Sequence, residues 1–445
     1  DVAEPAGLLP RPRPRVPRWG SGATFVDIDR DGFLDLYVSN YIDFDLENTP
    51  KPGENPNCNW KGVPVSCGPR GLKTARHWLY HNRGDGTFED ISGKAGIAKF
   101  DKSFGMTATA FDIDEDGWQD IYNACDSTPS LLFRNNGNLT FTEEGIERGI
   151  ALNDDGMEQA GMGLGIGDVN LDGHLDIFKT HFADDTHVLY VNDGRGMFHD
   201  ITLKAGIGVE TRRVGWGTGI YDFDHDGLPD IFIGTGCVYP ETEAALPAYP
   251  YRTRPMLFRN LGDARFEWLE EEAGPAMLEK HSVRGAAFGD LDLELANTRR
   301  LLESLPARAW SWTPHPKSWT TGMLATHLVQ LLAWGEAVLT RPEGDVARAG
   351  RVPPPSDPTE LLNLWDRHVG AFRAAWESLP DGALEETWTL RGGDQVLLRL
   401  PRAAVLRTFV VSHLVHHRAQ LVVYLRLLGE PVPGLYGPSA DEANA

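Results

Sequence analysis

A stretch of about twenty residues occurs four times in the first two-thirds of this chain, and a fifth copy opens and breaks off. The copies are WGSGATFVDIDRDGFLDLYVSN (19–40), FGMTATAFDIDEDGWQDIYNA (104–124), AGMGLGIGDVNLDGHLDIFKT (160–180) and VGWGTGIYDFDHDGLPDIFIG (214–234). The fifth is VRGAAFGDLD (283–292). Their first acidic residues are spaced by 85, 56, 54 and 68 positions, and an insertion over 48–76 accounts for the long first step. Each unit also carries a second motif: LYHNRGDGTFEDIS, LLFRNNGNLTFTEE, LYVNDGRGMFHDIT and MLFRNLGDARFEWL. These read as paired strands joined by an Asn/Gly/Asp turn. A repeat of several short strands cannot bury its face alone, so the units must stack; the spacing predicts blades of a partial β-propeller.

The acidic loop between the strands has its own chemistry. In Asp27-Ile-Asp29-Arg-Asp31-Gly32-Phe33-Leu-Asp35, carboxylates at alternate positions converge on one side of a tight turn. Gly32 permits the turn, the Phe33 carbonyl supplies a further oxygen and Asp35 closes the cage, a donor set suited to Ca²⁺. The equivalent sets are Asp112, Asp114, Asp116, Trp118 and Asp120; Asp168, Asn170, Asp172, His174 and Asp176; and Asp222, Asp224, Asp226, Leu228 and Asp230. Asn170 removes one charge, so the third site is predicted to be the weakest. Without a cation, carboxylates this close repel and raise one another's pKa. The alternative is a polar turn whose Asp side chains only accept from backbone amides. Four copies in register favour a structural calcium ion, with no catalytic group beside it.

These repeats resemble the FG-GAP/VCBS family found in integrin α-chain propellers and secreted bacterial proteins. The insertion NPNCNWKGVPVSCGPRGL, with LYHNRGDGTFEDISGKAGI, resembles the ASPIC/UnbV (cartilage acidic protein-like) group. The resemblance covers about residues 17–292 and implies an extracellular or periplasmic scaffold for a protein or carbohydrate ligand. The ASPIC/UnbV module usual at the C-terminus of that group is not visible here. In an exported protein, Cys58 and Cys67 of the insertion are disulfide candidates, with two free thiols as the alternative. Cys125 and Cys237 read either as a pair across blades or as buried thiols.

Composition breaks near Asp292. From Leu293 onward there are 15 basic and 16 acidic residues; before it there are 27 and 48. The strongly acidic part disfavours nucleic acid and anionic membranes and favours divalent cations. No run of about 20 apolar residues stands out as a membrane span. The chain opens at Asp1 rather than Met, as expected if a signal peptide is removed or not included. The segment 1–16, rich in Pro and Arg, reads as a linker, and 438–445 as a tail.

From Leu293 the apolar period shifts to 3.6. Helices are predicted over 293–305, over 319–340 with Ser318 as cap, from Asp357-Pro358 to about 379, and over 402–428. A hairpin, TWTLRGGDQVLLRL, precedes the last of them. The expected fold is an all-α four-helix bundle with one crossover. His413 and His417 are four apart and share a helix face. With His327 on another helix, they form a candidate open metal site of three imidazoles. His416, Arg418 and Gln420 are candidate supporting groups around it. A satisfied core histidine is the bland alternative for each.

The segments WTPHPKSWTTGMLATHL and VVSHLVHHRAQL resemble the DinB-like (YfiT-like) four-helix metalloproteins over about residues 293–437. That resemblance implies one divalent metal (Zn²⁺, Ni²⁺ or Fe²⁺) on His327, His413 and His417. It further implies transfer of a low-molecular-weight thiol or hydrolysis, a homodimer, and by itself a cytoplasmic setting. The two halves thus imply different compartments, and FGDLD passes into LELANTRRLLESL without a linker. A truncated or chimeric gene is a further expectation, since four blades and a stub leave a sheet edge open.

Overall fold

The computed structural model describes residues 19–435, apart from 46, 287, 289, 290, 348–352, 356 and 381. The predicted linker 1–16, the tail 438–445, and Gly289 and Asp290 of the fifth copy therefore lie outside the described residues. The chain divides into two compact units, Asp1–Phe288 and Gly289–Ala445.

The first unit contains four four-stranded antiparallel sheets, each formed by one repeat. The first has β1 (Gly20–Val26) and β2 (Asp35–Asn40), then, after an inserted hairpin of β3 (Asn59–Trp60) and β4 (Val63–Pro64), β5 (Trp78–Asn82) and β6 (Phe88–Asp90). The second runs β7 (Gly105–Phe111), β8 (Asp120–Cys125), β9 (Leu131–Asn135) and β10 (Phe141–Glu143). The third is β11 (Gly161–Gly167), β12 (Asp176–His181), β13 (Val188–Asn192) and β14 (Phe198–Asp200). The fourth is β15 (Gly215–Tyr221), β16 (Asp230–Thr235), β17 (Met256–Asn260) and β18 (Phe266–Leu269), with a helical turn, α1 (Thr242–Ala245), between its middle strands.

The first strand of each repeat is rich in Gly, Ala and Thr because it runs against the next repeat. A Cβ at Gly163 would lie 1.9 Å from the Trp216 carbonyl oxygen, and one at Gly217 would lie 2.1 Å from the Ala286 nitrogen. Only glycine admits backbone this close. Apolar layers fill the space between successive sheets. Leu79 and Ile28 meet Ile121 and Phe133; Ile113 and Tyr122 meet Ile177 and Tyr190; Phe178 and Leu189 meet Ile231 and Phe258.

The fifth copy continues this pattern only briefly. The Val283 amide donates to the Thr235 carbonyl at 3.1 Å, and Phe288 packs its ring on Tyr221, Phe232 and Phe223. Asp292, read from the sequence as the last residue of that copy, instead lies in the first turn of a helix and pairs with Arg373 at 2.5 Å. Leu291 already belongs to the apolar face of that helix, so helical packing takes over before the acidic loop can form.

In the insertion, Cys58 and Cys67 form a disulfide, and Trp60 packs against Phe182, Tyr239 and Tyr249. Cys125 and Cys237 are buried free thiols, so they do not pair.

The second unit has α2 (Leu291–Glu303), α3 (Thr321–Thr340) and α4 (Pro358–Glu377). Its last helical segment is α5 (Arg402–Val405), a π-helical stretch over Leu406–Val411, and α6 (Ser412–Leu427). α3 packs on α4 and α6, and α2 packs on the same two helices. Leu302, Leu328, Leu361, Trp365, Leu421 and Leu425 form the shared core. The predicted hairpin is present as β20 (Thr387–Gly392) and β21 (Gln395–Pro401), joined by a parallel strand β19 (Glu343–Asp345) that the sequence did not signal. Among the described residues, α3 is the one helix long and apolar enough to cross a membrane, and 61% of its apolar window is buried within the protein.

α4 starts as expected, with Asp357 Oδ1 accepting from the Glu360 amide at 2.9 Å beside Pro358. The start of α3 differs from the expectation. Thr320, not Ser318, caps it by accepting from the Met323 amide at 3.2 Å. The Ser318 amide is held in a preceding turn by the His315 carbonyl, which leaves Trp319 outside the helix.

Candidate metal centres

α3 presents His327 and α6 presents His413 and His417 to the same point. One donor nitrogen from each of the three rings lies within 4.8 Å of the others. The His413 and His417 Nε2 atoms are 2.8 Å apart, and His327 Nε2 is buried without a hydrogen-bond partner. Two imidazole nitrogens at that separation must share a proton or face a cation, because two lone pairs repel. Burial lowers the pKa of all three histidines, and the neighbouring rings add to it; His327 falls to about 4. All three are therefore neutral near pH 7, the form that ligates a metal.

The supporting groups divide. Gln420 Oε1 lies 2.7 Å from His417 Nδ1, so the ring donates there and keeps the Nε2 lone pair toward the cluster. His416 is exposed, its ring 4.9 Å from that of His417. Arg418 is buried in a different role: its guanidinium pairs with Glu294 and donates to the Glu294 carbonyl and Thr298 Oγ1 on α2. Two features of this site had no clear signal in the sequence. Trp319 stacks on His417 at 5.9 Å and meets His327 edge-on at 5.0 Å. The π-helical stretch ends just before His413; such local widening of a helix often accompanies functional sites.

In the first unit the four acidic loops share one geometry. Arg30, Glu115, Leu171 and His225 occupy the same place in each loop, and all four are in the left-handed region at φ of 57–61°. The last Asp of each set binds two backbone amides, one from the loop and one from the third strand of the sheet. For Asp120 these are Ile113 at 3.2 Å and Asn135 at 2.7 Å; Asp35, Asp176 and Asp230 do the same. Asp31, Asp116, Asp172 and Asp226 accept from the amides of Phe33, Trp118, His174 and Leu228 at 2.8–2.9 Å.

Much of each loop is thus a hydrogen-bonded turn, but carboxylate oxygens remain. Oxygens of Asp27, Asp29 and Asp35, of Asp112, Asp114 and Asp120, and of Asp222, Asp224 and Asp230 lie within 4.8 Å of one another. Asp29 Oδ1, Asp112 Oδ1 and Asp114 Oδ1 are buried without a hydrogen-bond partner. In the third loop the Asn170 amide donates to Asp172 Oδ2 at 2.8 Å. Burial, with the neighbouring carboxylates adding to it, raises Asp120 to about 7 and Asp176 to about 6.

A stitching residue escaped the sequence reading. Asn135, Asn192 and Asn260 each donate to a loop carbonyl of the preceding repeat, at Ile28, Ile113 and Val169, over 2.8–3.0 Å. The recurrence of Asn before each hairpin turn was the available signal.

Comparison with known proteins agrees with this division. Residues 290–421 match the DinB superfamily, and residues 112–179 and 168–233 match the FG-GAP-like repeat. The chain joins FG-GAP-like repeats to a C-terminal DinB superfamily domain. The uncharacterized protein YrdA of Bacillus subtilis is 28% identical over 152 residues, 34% of this chain and 86% of that protein. Human cartilage acidic protein 1 is 28% identical over 236 residues, 50% of this chain and 32% of that protein. The chain thus spans about a third of the length of that relative. A solved DinB-like protein from Bacillus cereus is 26% identical over 33% of this chain and 92% of its own, with a TM-score of 0.27.

Proposed function

We propose that the DinB domain holds one divalent transition metal (Zn²⁺, Ni²⁺ or Fe²⁺) on His327, His413 and His417 and is a metal-dependent hydrolase or thiol transferase. The observation that carries this is the convergence of three neutral imidazole nitrogens, one of them a buried orphan. Such an ion supplies Lewis acidity, lowering the pKa of a bound water or thiol. The chain's own residues prepare the site: Gln420 fixes the His417 tautomer, and Trp319 walls the cluster on one side. Metal analysis of the full chain and of His413→Ala tests the reading. One transition metal per chain in the parent and its loss in a folded variant support it; a parent that stays metal-free after incubation with Zn²⁺, Ni²⁺ and Fe²⁺ overturns it.

The repeats support a second role, that of an exported binding scaffold built as β-propeller blades and stabilised by calcium. The buried partnerless oxygens of Asp29, Asp112 and Asp114 favour this, because a cation would satisfy them. The face-to-face layering of successive sheets favours the blade arrangement. A protein or carbohydrate is the ligand class proposed for it.

A further inference from the structure

A cleft of about 730 Å³ opens beside the histidine cluster, with His327 and His413 in its wall. That volume is in the range of small-molecule sites. Its surface is aromatic and aliphatic, chiefly Trp310, Trp319, Trp334, Phe409, Met323 and Leu331. The Trp310 indole nitrogen donates to the Pro355 carbonyl at 2.9 Å, so that ring offers the cleft only apolar surface. Thr326 turns its hydroxyl to the Gly322 carbonyl, and Thr320 uses its own to cap α3. None of the described residues lining the cleft is Lys, Arg, Asp or Glu.

We infer that the substrate is an uncharged, flat, largely apolar molecule, bound among these tryptophans with one polar reacting group turned toward His327 and His413. This rests on the metal-centre reading above and names the substrate class of that same site. The argument is one of charge. A carboxylate or sulfonate held among the tryptophans, away from the histidine cluster and its ion, loses its hydration, and none of the described side chains in the wall is a cation that compensates. A peptide-like thiol with several ionised groups meets that penalty more than once. A neutral aromatic molecule meets none of it and stacks on the indoles.

The test is calorimetric titration of the metal-loaded full chain with 2-acetylnaphthalene and with naphthalene-2-sulfonate, a poor metal ligand of similar shape. The neutral probe is expected to bind at least tenfold more tightly. Ser311→Arg, at an exposed position of the cleft wall, is expected to close that gap while leaving metal content unchanged. Equal or tighter binding of the sulfonate by the parent overturns the inference, as does no saturable binding of the neutral probe. Metal content measured on the same samples separates the two readings. A metal-loaded chain without the preference sinks the substrate class alone; a chain that takes up no metal but keeps the preference sinks the metal centre alone.

Discussion

The acidic loops and the histidine cluster are both candidate metal sites, built in opposite ways. Each loop draws its donors from nine consecutive residues, so the site forms wherever that loop folds. The cluster draws on two helices, with His327 and His413 86 positions apart, so it exists only when the bundle is packed. The loops offer hard oxygens that also serve as turn-forming acceptors, and the cluster offers nitrogens with few other partners. A local site is therefore expected to couple its ion to the folding of its own repeat, whereas a convergent site is expected to use the fold to prepare its ion for chemistry.

The largest effect expected of any single substitution separates fold from function on α6. Glu294→Ala leaves the buried Arg418 guanidinium without its counter-charge and is expected to lower bundle stability by about 3–5 kcal/mol. Denaturant unfolding measures this, and metal content of the folded fraction should be unchanged. Loss of metal in that fraction would make Arg418 part of the metal centre after all.

Calcium comes next. If the loops bind it, calcium at 100 times its dissociation constant stabilises by about 2.7 kcal/mol per occupied loop. Removal by a calcium-selective chelator should lower the melting temperature of the repeats and leave the transition metal in place. Asp224→Asn gives the fourth loop the donor set of the third, where Asn170 holds the same position, and should weaken its calcium affinity without abolishing the site.

Acid sharpens the comparison in the repeats themselves. His77 and His187 are buried and neutral, with pKa values lowered by burial to about 4 from an ordinary 6.5. The unfolded chain binds protons below 6.5 that the folded chain refuses until about 4. Stability from these groups is therefore complete above pH 6.5 and is lost as pH falls toward 4. Roughly 2 kcal/mol per histidine is expected to be gone by pH 5. Urea midpoints at pH 7 and pH 5, with His187→Gln flattening the difference, check the sign.

The smallest effect is on the support of the cluster. Gln420→Ala frees His417 Nδ1 and is expected to weaken metal affinity by about tenfold without removing the ion. Competition against a metal-binding dye measures it.

What could be read from the sequence follows the same contrast. The loops were legible because their residues are contiguous and repeated four times, and the His413 and His417 pair was legible from its i, i+4 spacing. His327, one histidine among apolar residues, has no local signature of its own and stood out only as the third imidazole on another helix, a reading the family resemblance then strengthened. Trp319 was misplaced into a helix because Ser318 looks as good a cap as Thr320, and only the Ser318–His315 turn distinguishes them. Arg418 was a candidate supporting group of the metal site, yet it follows His417 directly, and one position along a helix turns a side chain by about 100°. That turn points Arg418 at Glu294. Asp292 looked like the end of a repeat because its neighbours match the motif, while the helix that claims it is specified by the leucines beyond.

Whether three imidazoles converge on one transition metal is read from X-ray absorption on the zinc- or nickel-loaded full chain. One ion per chain is expected, with multiple scattering from three histidine ligands, falling to two in His327→Ala. An ion with fewer than three histidine ligands in the parent, or a spectrum unchanged in His327→Ala, would contradict it.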